Sequence, residues 1–341
     1  MRKTRVLVID DSMVFREVLA RGISSDPDIE VVSTAKDPYD ARDKIIKYRP
    51  DVLTCDIEMP KMNGIEFVKR LLPQYPIPVI MVTTVSEAVF DAMDAGVVDF
   101  VVKPDVRSAR GVKDFLEDII AKIKIASGAK VLKPKGNVHP QRGHSGDEFS
   151  QKGGIIAIGA STGGTEAICS ILKSLPNTLP GIVVVQHIPP VFSKMFADRL
   201  DGCTPFRAKE AQNGDYVEQG EVLVAPGNMH MKVRRIGDRY KISCFEGEKV
   251  NGHCPSVDVL FESVAREAGN KAVGVILTGM GYDGAKGMLS MKRRGAKTLG
   301  QDEKSSVVYG MPKVAFELGA VERQVTLDDM PKVLCALFAK E

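Results

Sequence analysis

Short apolar runs alternate with longer segments of helical spacing along most of this chain, and no other feature constrains its fold so strongly. The first series of apolar runs covers 5–10, 29–35, 51–57, 78–84 and 99–104, with helical segments near 13–25, 38–48, 64–72, 87–95 and 112–126. Runs that are apolar throughout are typical of strands buried on both faces, as in parallel sheets covered by helices. Residues 1–126 are therefore predicted to form a doubly wound α/β domain.

The alternation resumes after a stretch of different character. Residues 127–153 show no periodicity and are rich in glycine, lysine and polar side chains, so we predict a linker there. Beyond it, strands are predicted at 155–160, 181–186, 221–227, 272–279 and 296–301, with a β-hairpin around 231–244. Since 341 residues are enough for two domains of about 150 residues, we expect a second domain over 154–341. It should be doubly wound and Rossmann-like, with a β-hairpin insertion.

Charge and cysteine content argue against several classes of protein. The 47 basic and 44 acidic residues give a net charge of +3, which is too balanced to indicate a nucleic-acid partner or an anionic membrane surface. The opening MRKTRVLVID has only a short apolar run before its aspartates, so it predicts neither a signal peptide nor a membrane span. Six cysteines without C-x-x-C spacing predict neither disulfides nor zinc. We expect a cytoplasmic protein without direct membrane insertion.

Polar side chains follow the predicted strands of the first domain at the points where those strands end. The residues are Asp10, Asp11, Asp56, Thr83 and Lys103. Because the carboxyl ends of parallel strands meet at one edge of a sheet, these side chains should converge there. Three converging carboxylates repel one another unless a hard cation lies among them, and Mg²⁺ prefers such oxygen ligands. Any one aspartate could instead cap a helix, but that alternative does not account for all five residues.

These residues and their contexts, VIDD, DIEMPKMNG and VVKP, resemble the receiver domain of two-component response regulators over residues 1 to about 125. The resemblance implies a flavodoxin-like fold in which Asp56 accepts a phosphoryl group from a histidine kinase. It also implies roles for the neighbouring residues: Asp10 and Asp11 bind Mg²⁺ with Asp56, Thr83 and Lys103 contact the phosphoryl oxygens, and Phe100 occupies the aromatic switch position.

The second domain contains a candidate nucleophile in a tight turn. Ser161 lies in GASTG, residues 159–163, which fits the G-x-S-x-G pattern of a nucleophile elbow between a strand and a helix. At a helix N-terminus, free N–H groups could stabilise an oxyanion beside it. Three other roles are open for this serine: a helix cap, a turn residue, or part of a phosphate-binding loop. The last lacks the Gly-Lys-Ser/Thr of a Walker A motif.

A serine hydroxyl needs a general base, and the base needs an acid to orient it. His187 directly follows the predicted strand 181–186, and Asp283 follows 272–279, so both should reach the same sheet edge as Ser161. Asp258 is an alternative acid, although its apolar helical context makes Asp283 the preferred candidate. Two other histidines, His230 and His253, stay open as bases.

Six motifs in the second half, GASTGG, VQHIPP, APGNMH, PSVDVLF, LTGMGYDG and VVYGMP, resemble the catalytic domain of the bacterial chemotaxis protein-glutamate methylesterases over residues 154–341. The resemblance implies Ser161 as nucleophile, His187 as base and Asp283 as the acid that orients it. Thr162 and the Met280 backbone N–H are implied near the oxyanion.

The family resemblance also implies a function and partners. It predicts a phosphorylation-regulated hydrolase that removes methyl esters from glutamate side chains of methylated chemoreceptors and deamidates receptor glutamines. A chemotaxis histidine kinase would be the phosphodonor, and the ester hydrolysis would need no cofactor.

Two other functions remain as alternatives. A DNA-binding response regulator would carry a compact helix-turn-helix output module, whereas this second half is long, glycine-rich and strand-containing. A non-catalytic phospho-dependent scaffold of the same fold would require an unreactive Ser161.

Overall fold

The computed structural model describes residues 2–84, 88–104, 109–130 and 154–339. The chain divides into two compact units, Met1–Gly136 and Asn137–Glu341. The division lies inside the predicted linker 127–153, of which residues 131–153 are outside the described residues. None of the described helices is both long and apolar enough to cross a membrane.

In the part of the first unit that the structure describes, five strands and five helices alternate strictly. The strands are β1 (Thr4–Ile9), β2 (Ile29–Ala35), β3 (Val52–Asp56), β4 (Val79–Thr83) and β5 (Asp99–Val102). The helices are α1 (Met13–Ser24), α2 (Pro38–Tyr48), α3 (Gly64–Leu71), α4 (Ala88–Asp94) and α5 (Ala109–Ala126). All strands are parallel, in the order β2-β1-β3-β4-β5, which is the flavodoxin-like order. The predicted fold class is confirmed for this unit.

Local sequence explains where these elements begin. The strands β3 and β4 are buried at every position, as their apolar runs require. Ser12 caps α1 by accepting a hydrogen bond from the Phe15 N–H, and Asp37 caps α2 with Pro38 in its first turn. Because all five strands run the same way, their carboxyl ends and the loops that follow lie at one edge of the sheet.

The second unit is built on a seven-stranded parallel sheet with an added hairpin. The parallel strands are β6 (Ile155–Ala160), β7 (Ile182–Gln186), β8 (Arg207–Glu210), β9 (Glu221–Val224), β12 (Ala272–Ile276), β13 (Lys297–Gln301) and β14 (Arg323–Val325). The antiparallel hairpin consists of β10 (His230–Ile236) and β11 (Arg239–Phe245). The helices are α6 (Gly164–Lys173), α7 (Phe192–Cys203), α8 (Val257–Ala268), α9 (Ala285–Arg293), α10 (Met311–Glu317) and α11 (Met330–Phe338). This confirms an α/β fold with a β-hairpin insertion.

Two strands of this sheet were not predicted from the sequence. The strand β8 reads RAKE and β14 reads RQV, and both lie at the outer edges of the order β14-β13-β12-β6-β7-β9-β8. Edge strands have fewer buried positions, so charged residues are tolerated and the apolar signal is lost.

The inserted hairpin joins the core through α8. Its inward residues Met231, Val233 and Ile242 belong to the same buried cluster as Leu260 and Val264 of that helix. The Val233 N–H also donates to the buried Ser263 hydroxyl at 3.0 Å. This packing fixes α8, whose N-terminus then faces the loop after β12.

The chain order within the sheet places a crevice next to β6. The strand β6 has β7 on one side and β12 on the other, so the order of the strands reverses there. Ligands of open α/β sheets bind beyond the carboxyl ends of the strands at such a reversal. The loops after β6, β7 and β12 are therefore the ones that form the candidate site.

Candidate functional site

The acidic residues of the first unit meet at the predicted sheet edge. One carboxylate oxygen from each of Asp10, Asp11 and Asp56 lies within 4.8 Å of the other two, and no other such cluster of metal-ligating side chains occurs in the described residues. The Lys103 Nζ lies 2.6 Å from Asp56 Oδ2 and 2.9 Å from Asp10 Oδ2. The structure thus brings together four of the residues that the sequence predicted for this site.

The electrostatics of this pocket leave Asp56 incompletely stabilised. Burial raises the pKa of Asp56 to about 6, with a contribution from the charge of Asp10, although Lys103 opposes the shift. Burial lowers the pKa of Lys103, but its hydrogen bond to Asp56 and its pairing with Asp10 raise it overall. The oxygen-only donor set and this uncompensated negative charge fit a hard divalent cation such as Mg²⁺.

The two remaining residues predicted here lie on neighbouring strands. Thr83 ends β4, is buried, and donates its hydroxyl to the Thr84 carbonyl at 2.8 Å. Phe100 lies on β5, is also buried, and has the Lys122 ammonium 5.4 Å from its ring centre. Both residues therefore belong to the same sheet as Asp56, and Thr83 lies at the same edge of that sheet as Asp56.

Ser161, His187 and Asp283 lie in the loops that follow three adjacent strands, β6, β7 and β12. The Ser161 N–H donates to the Thr278 carbonyl at 3.0 Å, and the His187 N–H donates to the Ala160 carbonyl at 3.2 Å. These bonds continue the sheet pairing by one residue beyond the strand ends. Ser161 and His187 are thereby fixed at the edge where the strand order reverses.

Close backbone packing holds the serine turn against the loop after β12. A Cβ atom added at Gly279 would lie only 2.6 Å from Ser161 Cβ, so no larger residue fits there. The Ser161 hydroxyl makes no hydrogen bond within the described part of the chain. Hydrogen bonds between a nucleophile and its base are often long before substrate binds, so a nucleophilic serine does not require such a bond in the free protein.

The predicted base and acid, His187 and Asp283, are joined by a direct hydrogen bond. The His187 Nε2 atom lies 2.9 Å from Asp283 Oδ2, and both side chains are almost completely buried. Because the Asp283 carboxylate only accepts, His187 Nε2 carries the proton, and Nδ1 is left with a lone pair. Nδ1 is buried and has no hydrogen-bond partner among the residues described. In the familiar triad the acid binds Nδ1 instead, so the two ring nitrogens have exchanged roles here.

Donors surround the Asp283 carboxylate. Apart from His187 it accepts hydrogen bonds from the Ser256 hydroxyl at 2.8 Å, Asn251 Nδ2 at 2.8 Å, and the backbone N–H groups of Val257 at 2.6 Å and Asp258 at 3.3 Å. The last two belong to the first turn of α8, where free N–H groups favour an anion. Burial alone would raise the pKa of Asp283, but the hydrogen bonds from His187, Asn251 and Ser256 hold it well below its usual range.

Of the two residues predicted near an oxyanion, Thr162 follows Ser161 in the loop after β6, and Met280 lies in the loop after β12. Met280 follows Gly279 and has a half-exposed side chain, and its N–H donates no backbone hydrogen bond among the described residues. Thr162 is buried, and its carbonyl accepts from the Thr278 hydroxyl at 3.0 Å. The free Met280 N–H is therefore able to bind a developing negative charge.

The alternative acid and one alternative base have structural partners of their own. Asp258 accepts from the Gly287 N–H at 2.6 Å and from Asn251 Nδ2 at 2.8 Å. Burial, together with the charge of Asp283, raises the pKa of Asp258. His230 is buried, with Nε2 bonded to the Glu248 carbonyl and Nδ1 accepting from the Ser256 N–H. Neither residue is bonded to His187.

Three supporting residues were missed by the sequence reasoning. Asn251 bridges the carboxylates of Asp258 and Asp283, and Gln186 Nε2 donates to the Ser161 carbonyl at 2.8 Å. Thr278 accepts from the Val308 N–H and so connects the Ser161 turn to a third loop. The Asn-Gly pair at 251–252 was a signal for a tight turn, but nothing in the sequence placed that turn beside Asp283.

Comparison with known proteins identifies relatives of both units. A family model described as CheB methylesterase matches residues 156–334, and a model described as response regulator receiver domain matches residues 6–110. A crystal structure of the Thermotoga maritima CheB methylesterase catalytic domain has a TM-score of 0.53 and 37% sequence identity, covering 55% of this chain and 100% of that one.

Similar proteins extend over the whole chain. Protein-glutamate methylesterase/protein-glutamine glutaminase 2 of Syntrophomonas wolfei is 54% identical over 338 residues, covering 99% of this chain and 98% of that protein. Protein-glutamate methylesterase/protein-glutamine glutaminase of Salmonella typhimurium is 44% identical over 340 residues, covering 98% of this chain and 97% of that protein. Both similarities include the receiver-like unit as well as the unit that carries Ser161.

Proposed function

Because this chain belongs to the CheB methylesterase family and carries a receiver domain, we propose that its receiver controls ester hydrolysis by Ser161, His187 and Asp283. The chain is a protein-glutamate methylesterase and protein-glutamine glutaminase regulated by phosphorylation. The family resemblance read from the sequence motifs is thus confirmed. The roles of individual residues are the proposal.

One observation carries the residue assignment. A carboxylate held ionised by five donors bonds the imidazole of His187, and the loops after three adjacent strands bring this pair to the edge that bears Ser161. A buried carboxylate that orients an imidazole beside a serine at a helix N-terminus suits nucleophilic acyl transfer. The unpartnered Nδ1 of His187 is the ring nitrogen assigned to the serine proton.

Hydrolysis then proceeds in two halves. The Ser161 Oγ attacks the ester carbonyl carbon while His187 Nδ1 takes the hydroxyl proton, and the carbonyl oxygen becomes an oxyanion facing the Met280 N–H. The imidazolium returns its proton to the methoxy oxygen, so methanol leaves and a glutamyl ester of Ser161 remains. Water, deprotonated by His187, attacks this ester and releases the free glutamate carboxylate and Ser161. Asp283 stays ionised throughout.

The same residues serve glutamine deamidation. The proton held by the imidazolium passes to the departing nitrogen, and ammonia leaves in place of methanol. The intermediate and its hydrolysis are the same, so one site supports both activities named in the relatives.

In the receiver, Asp56 is proposed as the phosphoryl acceptor. Asp10, Asp11 and Asp56 would hold Mg²⁺, which neutralises phosphoryl charge when bound. Lys103 and Thr83 would contact the phosphoryl oxygens, and Phe100 would act as the aromatic switch residue that responds to phosphorylation. Methylated chemoreceptors are the proposed substrates, and a chemotaxis histidine kinase is the proposed phosphodonor.

The function is tested by incubating the purified full-length protein with receptor membranes that carry labelled methyl esters and measuring released methanol. A low-molecular-weight acyl phosphate is added in a parallel reaction as phosphodonor. We expect methanol release that the phosphodonor increases, and ammonia release from receptors with glutamine at the same positions. Membranes stripped of methyl groups serve as the control. Absence of methanol release under both conditions would favour the non-catalytic scaffold.

A further inference from the structure

His253 is not a member of the triad. It ends a tight turn, Val250–His253, whose geometry follows from its sequence. Val250 and His253 exchange two backbone hydrogen bonds of 3.0 Å across an antiparallel bridge. The two residues between them, Asn251 and Gly252, have φ values of 53° and 83°. Positive φ at both central positions defines a type I′ turn, for which Asn-Gly is the favoured pair. The sequence VNGH therefore sets where the His253 side chain emerges.

This turn contacts two members of the triad. The ring of His253 stacks on the ring of His187, with centroids 3.7 Å apart and planes inclined by only 8°. From the same turn, Asn251 Nδ2 donates to Asp283 Oδ1 at 2.8 Å. A ring in parallel contact at this distance prevents the His187 imidazole from tilting towards that side.

The surroundings of His253 keep its ring neutral. The charged or titratable groups that face it are His187, Asp283 and Lys249. Burial is the largest influence and the charge of His187 the next, and together they lower the pKa of His253 to about 4. The π-face of a neutral aromatic ring attracts a cation, whereas a charged ring would repel it.

We propose that His253 is a positioning residue for His187: its neutral ring fixes the plane of the imidazole and stabilises the imidazolium that forms when Ser161 loses its proton. This role rests on the proposed function of the triad. It adds to that function a fourth side chain that touches the base but not the substrate.

The kinetic test compares three full-length variants in the methanol-release assay. His253→Ala removes the stacked ring and should lower kcat by about 10- to 100-fold with little change in KM, because the base is misplaced but substrate binding is retained. His253→Phe keeps a flat neutral ring and should recover most of the lost rate. Lys249→Ala removes an exposed charge beside the turn and should leave kcat within about twofold of the parent value. Equal kcat in His253→Ala and the parent protein would overturn the proposal.

A second test does not depend on the receptor. In histidine-labelled protein, the stacked ring should shift the ring protons of His187 upfield in the NMR spectrum, and this shift should be lost in His253→Ala and kept in His253→Phe. A fluorophosphonate should modify Ser161 more slowly in His253→Ala than in the parent protein, and at close to the parent rate in His253→Phe. If the parent protein releases no methanol, but its reaction with the fluorophosphonate is slowed in His253→Ala and restored in His253→Phe, the receptor esterase function fails while the role of His253 is upheld. If both variants keep parent-like thermal unfolding and react at the parent rate, the role of His253 is refuted.

Discussion

Asp56 and Asp283 are buried to nearly the same degree, with 3% and 1% of their surfaces exposed, yet their environments are opposite. Among the described residues, Asp56 accepts hydrogen bonds only from Lys103 and, at 3.4 Å, from the Glu58 N–H, and it faces the carboxylates of Asp10 and Asp11. Asp283 accepts five hydrogen bonds, two of them from the first turn of α8. Burial therefore dominates at Asp56 and raises its pKa, whereas hydrogen bonding dominates at Asp283 and lowers its pKa.

The difference suits the two chemical roles that we propose for these aspartates. A carboxylate that must itself react and bind a cation benefits when few hydrogen bonds offset the cost of its burial. The metal ion then supplies the positive charge that stabilises it. A carboxylate that must stay ionised while its neighbour gains and loses a proton benefits from complete compensation. The comparison predicts that changes around Asp283 affect chemistry and that changes around Asp56 affect regulation.

The largest expected effect comes from removing the hydroxyl of Ser161, the proposed nucleophile. Ser161→Ala should lower methanol release by about 10⁴-fold or more, because triad members act as a unit. The fold should persist, since the hydroxyl makes no hydrogen bond within the described residues. Methanol release is measured from labelled receptor membranes, with thermal unfolding as the control. Near-normal release would exclude Ser161 as nucleophile.

The next effect distinguishes the two neighbouring acids. Asp283→Asn should lower kcat by about 10³- to 10⁴-fold, because an amide no longer fixes the His187 tautomer. Asp258→Asn is the matched control: it is buried nearby and shares the Asn251 donor, but it does not touch His187. Its effect on kcat should be at least tenfold smaller. The reverse ranking would make Asp258 the orienting acid.

A smaller effect is expected from metal removal, and only on regulation. A chelator of Mg²⁺ should remove the stimulation by phosphodonor, which we expect to lie in the range of about 5- to 150-fold. The basal rate should be unchanged, because the acidic cluster belongs to the receiver site and not to the triad. Restored stimulation after excess Mg²⁺ is the control. A basal rate that falls with chelation would contradict this separation of roles.

The smallest effect concerns pH and the stability of the catalytic unit. His253 binds its proton more weakly in the folded protein, with a pKa of about 4, than in the unfolded chain, where 6.5 is usual. Between these values the unfolded state holds more protons at His253, so the contribution of this residue to stability should fall as pH drops from about 6.5 to about 4. The raised pKa values of Asp56 and Asp258 act in the opposite direction, and the lowered pKa of Asp283 matters only below this window. The contribution of His253 is therefore measured as a difference: calorimetry at several pH values should show that His253→Phe loses less stability on acidification than the parent protein, and equal losses would be inconsistent with a neutral buried His253.

Most of the fold followed from periodicity, and the exceptions have a physical reason. Predicted bounds for β2, β6 and α2 agree with the structure to the residue, because Pro38, Pro50 and Gly154 punctuate clear apolar runs. The strands β8 and β14 were missed because their edge positions tolerate charge. The hairpin agrees with its sequence, since the apolar Tyr240, Ile242 and Cys244 of β11 are buried and alternate with more polar, less buried residues.

The candidate site was predictable where a residue directly follows a strand or, as for Asp283, lies in the loop after one. Ser161, His187 and Lys103 are of this kind, since topology alone brings strand ends together. Asn251 and His253 lie far from any strand end, and their contacts depend on how α8 and the hairpin pack. The sequence also could not indicate which nitrogen of His187 meets Asp283, because that depends on the position of the α8 N-terminus.

The comparison of the two aspartates is tested most directly by measuring methanol release from Asp56→Asn and Asp283→Asn, each with and without a phosphodonor. We expect Asp56→Asn to keep the basal rate of the parent protein and to lose all stimulation. Asp283→Asn should have a greatly reduced rate that the phosphodonor still raises by the parent factor. Persistent stimulation in Asp56→Asn, or a basal rate there as low as that of Asp283→Asn, would contradict the assignment of regulation to one carboxylate and chemistry to the other.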